Sequence, residues 1–120
     1  MNWQPVSESE LLDMLNHAEN RMTIDQLRLW EIIKIEPEKW QQHPFGNEGD
    51  GFWVVGILGQ LVIWFNDIEY GFNVSRYKQY GSIDQYWCNQ DKLEWTVQSL
   101  LNMIEHGYSL SPKLSSPVKI

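Results

Sequence analysis

The run from Gly51 to Ser75 carries the clearest pattern in the chain, with apolar residues at alternating positions and two short breaks. Alternation of this kind sends successive side chains to opposite faces of a pleated strand. The breaks fall at Gly59-Gln60, where glycine supplies the positive φ of a tight hairpin turn, and at Asn66-Asp67, two residue types that tolerate the same geometry. A three-stranded antiparallel meander over residues 52–75 is therefore predicted. With two-residue turns, Leu58 faces Leu61, Gly56 faces Ile63 and Val54 faces Phe65, and beyond the second turn Phe65 faces Ile68, Ile63 faces Tyr70 and Leu61 faces Phe72. Joined by Phe52, this set is apolar almost throughout and is expected to form the core face, with Gly56 making room for Ile63.

The opposite face would carry Trp53, Val55, Ile57, Val62 and Trp64 beside Glu69, Gly71, Asn73 and Ser75. It is too apolar for a solvated face and too polar for an ordinary core. Either other elements cover it, which would make Trp53 and Trp64 buried packing residues, or it is an aromatic and carboxylate surface for a partner. In the second case Trp53, Trp64, Asn66, Asp67 and Glu69 are the partner-binding residues.

Around the meander the period changes. Ser7 and Glu10 have capping-box spacing, and Leu11, Leu12, Leu15, Ala18 and Met22 follow at helical intervals, so a helix is predicted over residues 8–21. Residues 23–27 read as a short turn and 29–36 as a strand rich in β-branched residues and stopped by Pro37. Residues 37–51 hold prolines and glycines without a period and read as a loop. Ile83 to Cys88 suggests a further strand. Asn89 would then cap a helix from Gln90 to His106, with Leu93, Val97, Leu100, Leu101 and Ile104 as its buried stripe and Gly107 as its stop. The expected fold is a single α+β domain spanning residues 1–120: an antiparallel sheet of four to five strands packed with an N-terminal and a C-terminal helix. Residues 108–120, serine- and proline-containing, read as a loosely held tail.

Composition adds two constraints. The chain is rich in aromatic residues, with 7 Trp, 5 Tyr and 4 Phe among 120 residues, and such side chains supply large contact areas in cores and interfaces alike. Its formal net charge of -7 disfavours nucleic acid or an anionic membrane as a partner and favours a basic protein. The single cysteine, Cys88, cannot form an internal disulfide, and the first residues lack a basic segment followed by an apolar run, so a cytoplasmic location is expected.

Catalytic and metal chemistry find little support in the spacing. His17, His43 and His106 have no second histidine or cysteine at ligand distance in sequence, and the Glu48-Gly-Asp50-Gly stretch lacks the ligand series of a calcium loop, so neither metal nor cofactor is expected. Asp67 and Glu69 lie near aromatic residues, an arrangement that can separate two carboxyl pKa values; with His43 they define an alternative reading as a small enzyme or ligand-binding domain. Cys88 precedes a predicted helix whose N-terminus would lower its pKa, yet packing is the expected role of this thiol.

The stretches Gly51-Phe-Trp-Val-Val-Gly, Val62-Ile-Trp-Phe-Asn-Asp-Ile-Glu, Gly71-Phe-Asn and Tyr86-Trp-Cys-Asn-Gln lie between the two predicted helices. This arrangement, over about residues 30–105, resembles the small acidic α+β immunity proteins encoded beside bacterial polymorphic or contact-dependent toxins. The resemblance implies a non-catalytic cytoplasmic protein that binds and neutralises a cognate toxin domain, commonly a basic nuclease.

Overall fold

The computed structural model of the chain describes residues 4–42 and 51–107. His43, Glu48, Asp50 and the 108–120 tail lie outside these residues. Helix α1 (Glu8–Arg21) begins where the sequence places it. The Ser7 hydroxyl accepts from the Glu10 amide and the Glu10 carboxylate accepts from the Ser7 amide, so two N–H groups that the first turn cannot satisfy internally are capped. Leu11, Leu15 and Ala18 are buried along its inner face.

A second helix, α2 (Ile24–Ile33), replaces the turn and most of the strand expected over residues 23–36. Its start has the same chemistry as the first: Thr23 and Gln26 form a second capping box, at 3.2 Å and 2.9 Å. Burial of Trp30 and Ile33 then holds the helix against the sheet, and this tertiary contact outweighs the β-preference of the isoleucines. Strand β1 (Lys34–Trp40) follows directly. Pro37 sits within it, not at its end, because β1 is an edge strand and its pairing with β2 is irregular between Lys34 and Glu38.

The meander forms as β2 (Phe52–Leu58), β3 (Leu61–Asn66) and β4 (Gly71–Arg76), completing an antiparallel sheet of order β1-β2-β3-β4 in an α+β fold. The first turn is the expected one: Leu58 pairs with Leu61 across Gly59-Gln60, and Gly59 has φ 59°. The second differs. Asn66 pairs with Gly71, so the connection is a four-residue loop over 67–70, and Phe65 faces Phe72 while Ile63 faces Val74. Because the slip is an even number of residues, Phe65 and Phe72 keep the face assigned to them. Tyr70 instead lies in the loop, 61% exposed, and Ile68 packs on the other side of the sheet.

A bulge in β2 makes the larger correction. Gly56 pairs with Ile63 but Val54 pairs with Trp64, so Val55 is an extra residue and everything before it changes face. Phe52 and Val54 leave the expected core face and Trp53 and Val55 join it. The helical side of the sheet therefore buries Val55, Ile63, Phe65 and Phe72 against α1, α2 and α3 (Leu93–His106). Gly56 accommodates Trp30 more than Ile63, since a Cβ there would stand 3.1 Å from the indole Cζ3 and 3.6 Å from Ile63 Cδ1.

On the other side, Phe52, Val54, Val62 and Trp64 form a second core with Trp40 and Ile83, closed by Tyr77 and Tyr86. The mixed face is thus covered. Its cover is the segment 77–91, which includes the residues expected to form a strand at 83–88. That segment runs beside β4, but side chains make many of its bonds: the Ser75 hydroxyl donates to the Gln85 carbonyl, Gln85 Oε1 accepts from the Arg76 amide, and the Asn73 amide group bonds both the N–H and the carbonyl of Asn89. A ladder is replaced by a polar seam. Helix α3 starts at Leu93, later than expected, with Lys92 and not Asn89 at its N-cap, and it stops at Gly107 in the left-handed region, as the sequence indicates.

Candidate functional site

The β3–β4 loop is built by two of the residues assigned to partner binding. Asn66 is fully buried; its Oδ1 accepts from the Ile68 and Glu69 amides and its Nδ2 donates to the Trp87 carbonyl, so it ties the loop to itself and to the covering segment. Asp67 is also buried, and its Oδ2 accepts from the Val6 amide at 3.0 Å. The Trp53 indole N–H donates to the Val6 carbonyl at 3.1 Å. Asp67 and Trp53 therefore grip both polar groups of one peptide residue just ahead of α1. Two residues read as partner contacts bind the protein's own N-terminal segment.

The remaining assignments divide. Trp64 is fully buried, with its indole N–H donating to the Ser75 hydroxyl, and it cannot touch a partner while the covering segment is in place. Glu69 is half-buried in the loop, and its backbone carbonyl accepts from the Gln90 side chain. No hydrogen bond joins the Asp67 and Glu69 carboxylates among the described residues. Burial raises the Asp67 carboxyl above its ordinary value, against the opposing pull of the Val6 amide, its own amide and Lys39, and its Oδ1 is enclosed without a partner among the described residues. Cys88 departs from expectation in the same sense: burial and the nearby Glu69 raise its pKa, and α3 begins too far along the chain to lower it.

What the loop presents to solvent is Tyr70. Its φ is 61°, and it is the one non-glycine residue in the left-handed region among the described residues. A residue of this bulk holds such a conformation only when its surroundings impose it. The Asn66 bonds set the loop before it, and Gly71 follows, where a Cβ would come within 2.3 Å of the Gln90 backbone, so the chain after the loop must run tight against residues 89–90. The ring itself meets the edge of Phe65 at 5.1 Å and 82°.

Beneath Tyr70 lies a cleft of about 220 Å³ between α1, the loop and the start of α3. Phe65 and Phe72 form its floor, and His17, Arg21 and Lys92 stand around it. Its charges are largely balanced. Arg21 Nε meets Glu94 Oε2 at 2.7 Å and a second guanidinium nitrogen meets Oε1 at 3.2 Å; although burial pushes the Glu94 carboxyl up, this pair holds it below its ordinary value. Lys92 lies over the exposed ring of Trp95, 5.2 Å from its centroid. Such a cleft suits an apolar or aromatic side chain with a polar end. Sequence reading missed Tyr70, which it assigned to the core because the residue continues the strand alternation.

Among the described residues no three His, Cys, Asp or Glu side chains gather as a metal site requires, and no helix is long and apolar enough to cross a membrane. Compared with known protein families, curated proteins and solved structures, the chain matches none.

Proposed function

We propose that the protein is a stoichiometric binding protein of the immunity type, which engages a basic toxin domain and blocks it without chemistry of its own. The observation that carries this reading is Tyr70: an exposed aromatic held in a costly backbone conformation by a buried polar network, at the mouth of an aromatic cleft. Tyrosine is among the residues that dominate binding energy at protein interfaces, and holding it rigidly in advance removes part of the entropic cost of association. The net charge of -7 supplies the preference for a basic partner and accelerates encounter. The resemblance to immunity proteins supports the same class of partner.

The test is co-expression with the product of the neighbouring gene, followed by binding kinetics on the co-purified pair. Tyr70→Ala should weaken the complex by about 2 kcal/mol or more if the ring is an anchor. Full affinity in a folded Tyr70→Ala variant would remove the loop from the interface. A second reading, a small enzyme or ligand-binding domain using Asp67, Glu69 and His43, draws on the raised pKa of the enclosed Asp67, since functional carboxylates often show such shifts. Asp67→Asn distinguishes the two. It should abolish catalysis in the second case and leave toxin binding nearly intact in the first, because an amide can still accept from Val6.

A further inference from the structure

Helix α3 does not bury the whole stripe expected of it. Leu101 is only half-buried and Ile104 is 60% exposed, while on α2 Ile24 is 65% and Ile32 80% exposed. Solitary exposed aliphatics, as Ile24 and Ile104 can be, are ordinary on a protein surface, but Ile32 and Leu101 line one groove together with Leu29. Between these helices runs a groove of about 570 Å³ with Leu29 and Leu101 in it, Ile32 on its α2 side, and the carboxylates of Asp25 and Glu105 along it. Neither carboxylate takes part in an ion pair among the described residues, and Arg28 is the one cation lining this groove.

We propose that this groove docks an amphipathic helical segment of a protein partner, one that presents an aliphatic stripe flanked by lysine or arginine. The inference rests on the reading of the protein as a binder of basic proteins and adds where, and by what kind of segment, a partner is held. A groove between two contacting helices, with Leu29, Ile32 and Leu101 as its apolar part, takes a third helix by the ordinary packing of side-chain ridges into grooves. The unpaired carboxylates select the charge of the occupant, because Asp25 or Glu105 gains from a cation placed beside it a counter-ion that it lacks among the described residues. An acidic segment would instead meet repulsion from both. Ile32 contributes the aliphatic contact and, at its exposure, has little part in holding the fold.

The experiment uses the full-length chain, isotopically labelled, with a leucine/lysine amphipathic helical peptide as the probe and a scrambled peptide of the same composition as its control. Amide shifts should cluster on residues of α2 and the second half of α3, and the scrambled peptide should bind far more weakly. Ile32→Asp, and separately Asp25→Lys with Glu105→Lys, should each weaken peptide binding roughly tenfold or more. Glu36→Lys, a single charge reversal on the exposed edge strand β1, should leave it unchanged, whereas Asp25→Lys or Glu105→Lys alone should already weaken it. Shifts spread over the acidic surface, equal binding of the scrambled peptide, or equal loss from Glu36→Lys would overturn the groove and leave only non-specific charge attraction. Shifts confined to the Tyr70 loop would also overturn it while keeping the binding role. Sedimentation showing a dimer that Ile32→Asp dissolves would assign the groove to a second copy of the chain and overturn the proposal.

Discussion

At Asp67 a carboxylate that a surface turn would leave in water is enclosed, with one oxygen on the Val6 amide and the other without a partner among the described residues. Its folded pKa lies above the unfolded value, so the native state holds this proton more tightly. The contribution to stability is therefore fully present below the unfolded pKa of about 3.8 and is lost as pH rises through the folded pKa. Asp67→Asn should remove that step from the pH dependence of the denaturation midpoint and be no less stable than the parent at neutral pH; a clear loss of stability there would show that the ionised group is favourable. Phe65 makes a different claim. It is 1% exposed, and it touches Phe72 at 4.9 Å and the Tyr70 ring. Phe65→Ala should cost about 3–5 kcal/mol in chemical denaturation. Partner binding should weaken as well, because the ring that supports Tyr70 is gone. Cys88, its pKa raised, should alkylate slowly at neutral pH, and Cys88→Ser should leave partner binding intact.

Between elements, the contact most exposed to test is the one joining α1 to α3. Arg21 is the basic residue in the last turn of α1 and Glu94 the acidic one in the first turn of α3, so each stands where its own helix dipole favours it, and together they tie the two helices across the cleft. Glu94 has a lowered pKa, so its contribution is present above the unfolded value and is lost as pH falls through the folded one. Glu94→Gln should lower the denaturation midpoint at neutral pH and flatten its decline on acidification, the opposite of the Asp67 signature. A midpoint unchanged from the parent at both pH values would make the pair a surface ornament. The seam between β4 and the covering segment belongs to the same scale. Asn73 and Ser75, the polar residues of the mixed face, are the groups that let an irregular segment satisfy a sheet edge and close the second core.

Across the whole molecule, the net charge of -7 acts at a distance. Association with a basic partner should slow as salt rises, since the field reaches only about 8 Å at physiological ionic strength. Charge reversal discriminates steering from general solubility. Glu69→Lys, beside Tyr70, should slow association more than Glu8→Lys in the first turn of α1, as read by stopped-flow or surface binding kinetics. Equal effects would reduce the charge to a solubility feature. Reversal of Asp67 is not an equivalent probe, because a lysine there would break the bond to Val6 and damage the fold.

Local signals were sufficient wherever one face or one end of an element is chemically marked. The capping box at Ser7, the glycine turn at Gly59, the stop at Gly107 and the burial of Phe65 with Phe72 are of this kind, and each is decided within a few residues of chain. A second capping box at Thr23 was equally legible but competes with a β-branched run, and only the burial of Trp30 against the sheet settles it. The bulge at Val55 could not be read from the pattern: both faces of β2 are apolar, so a one-residue slip leaves no polar residue in the wrong place. The β3–β4 loop hid Tyr70 for another reason: the pairing slips by an even number of residues, so Tyr70 continues the alternation although its backbone does not. Whether Trp64 was surface or core depended on a segment distant along the chain that covers it by side-chain bonds, and alternation within a strand carries no information about what lies above it.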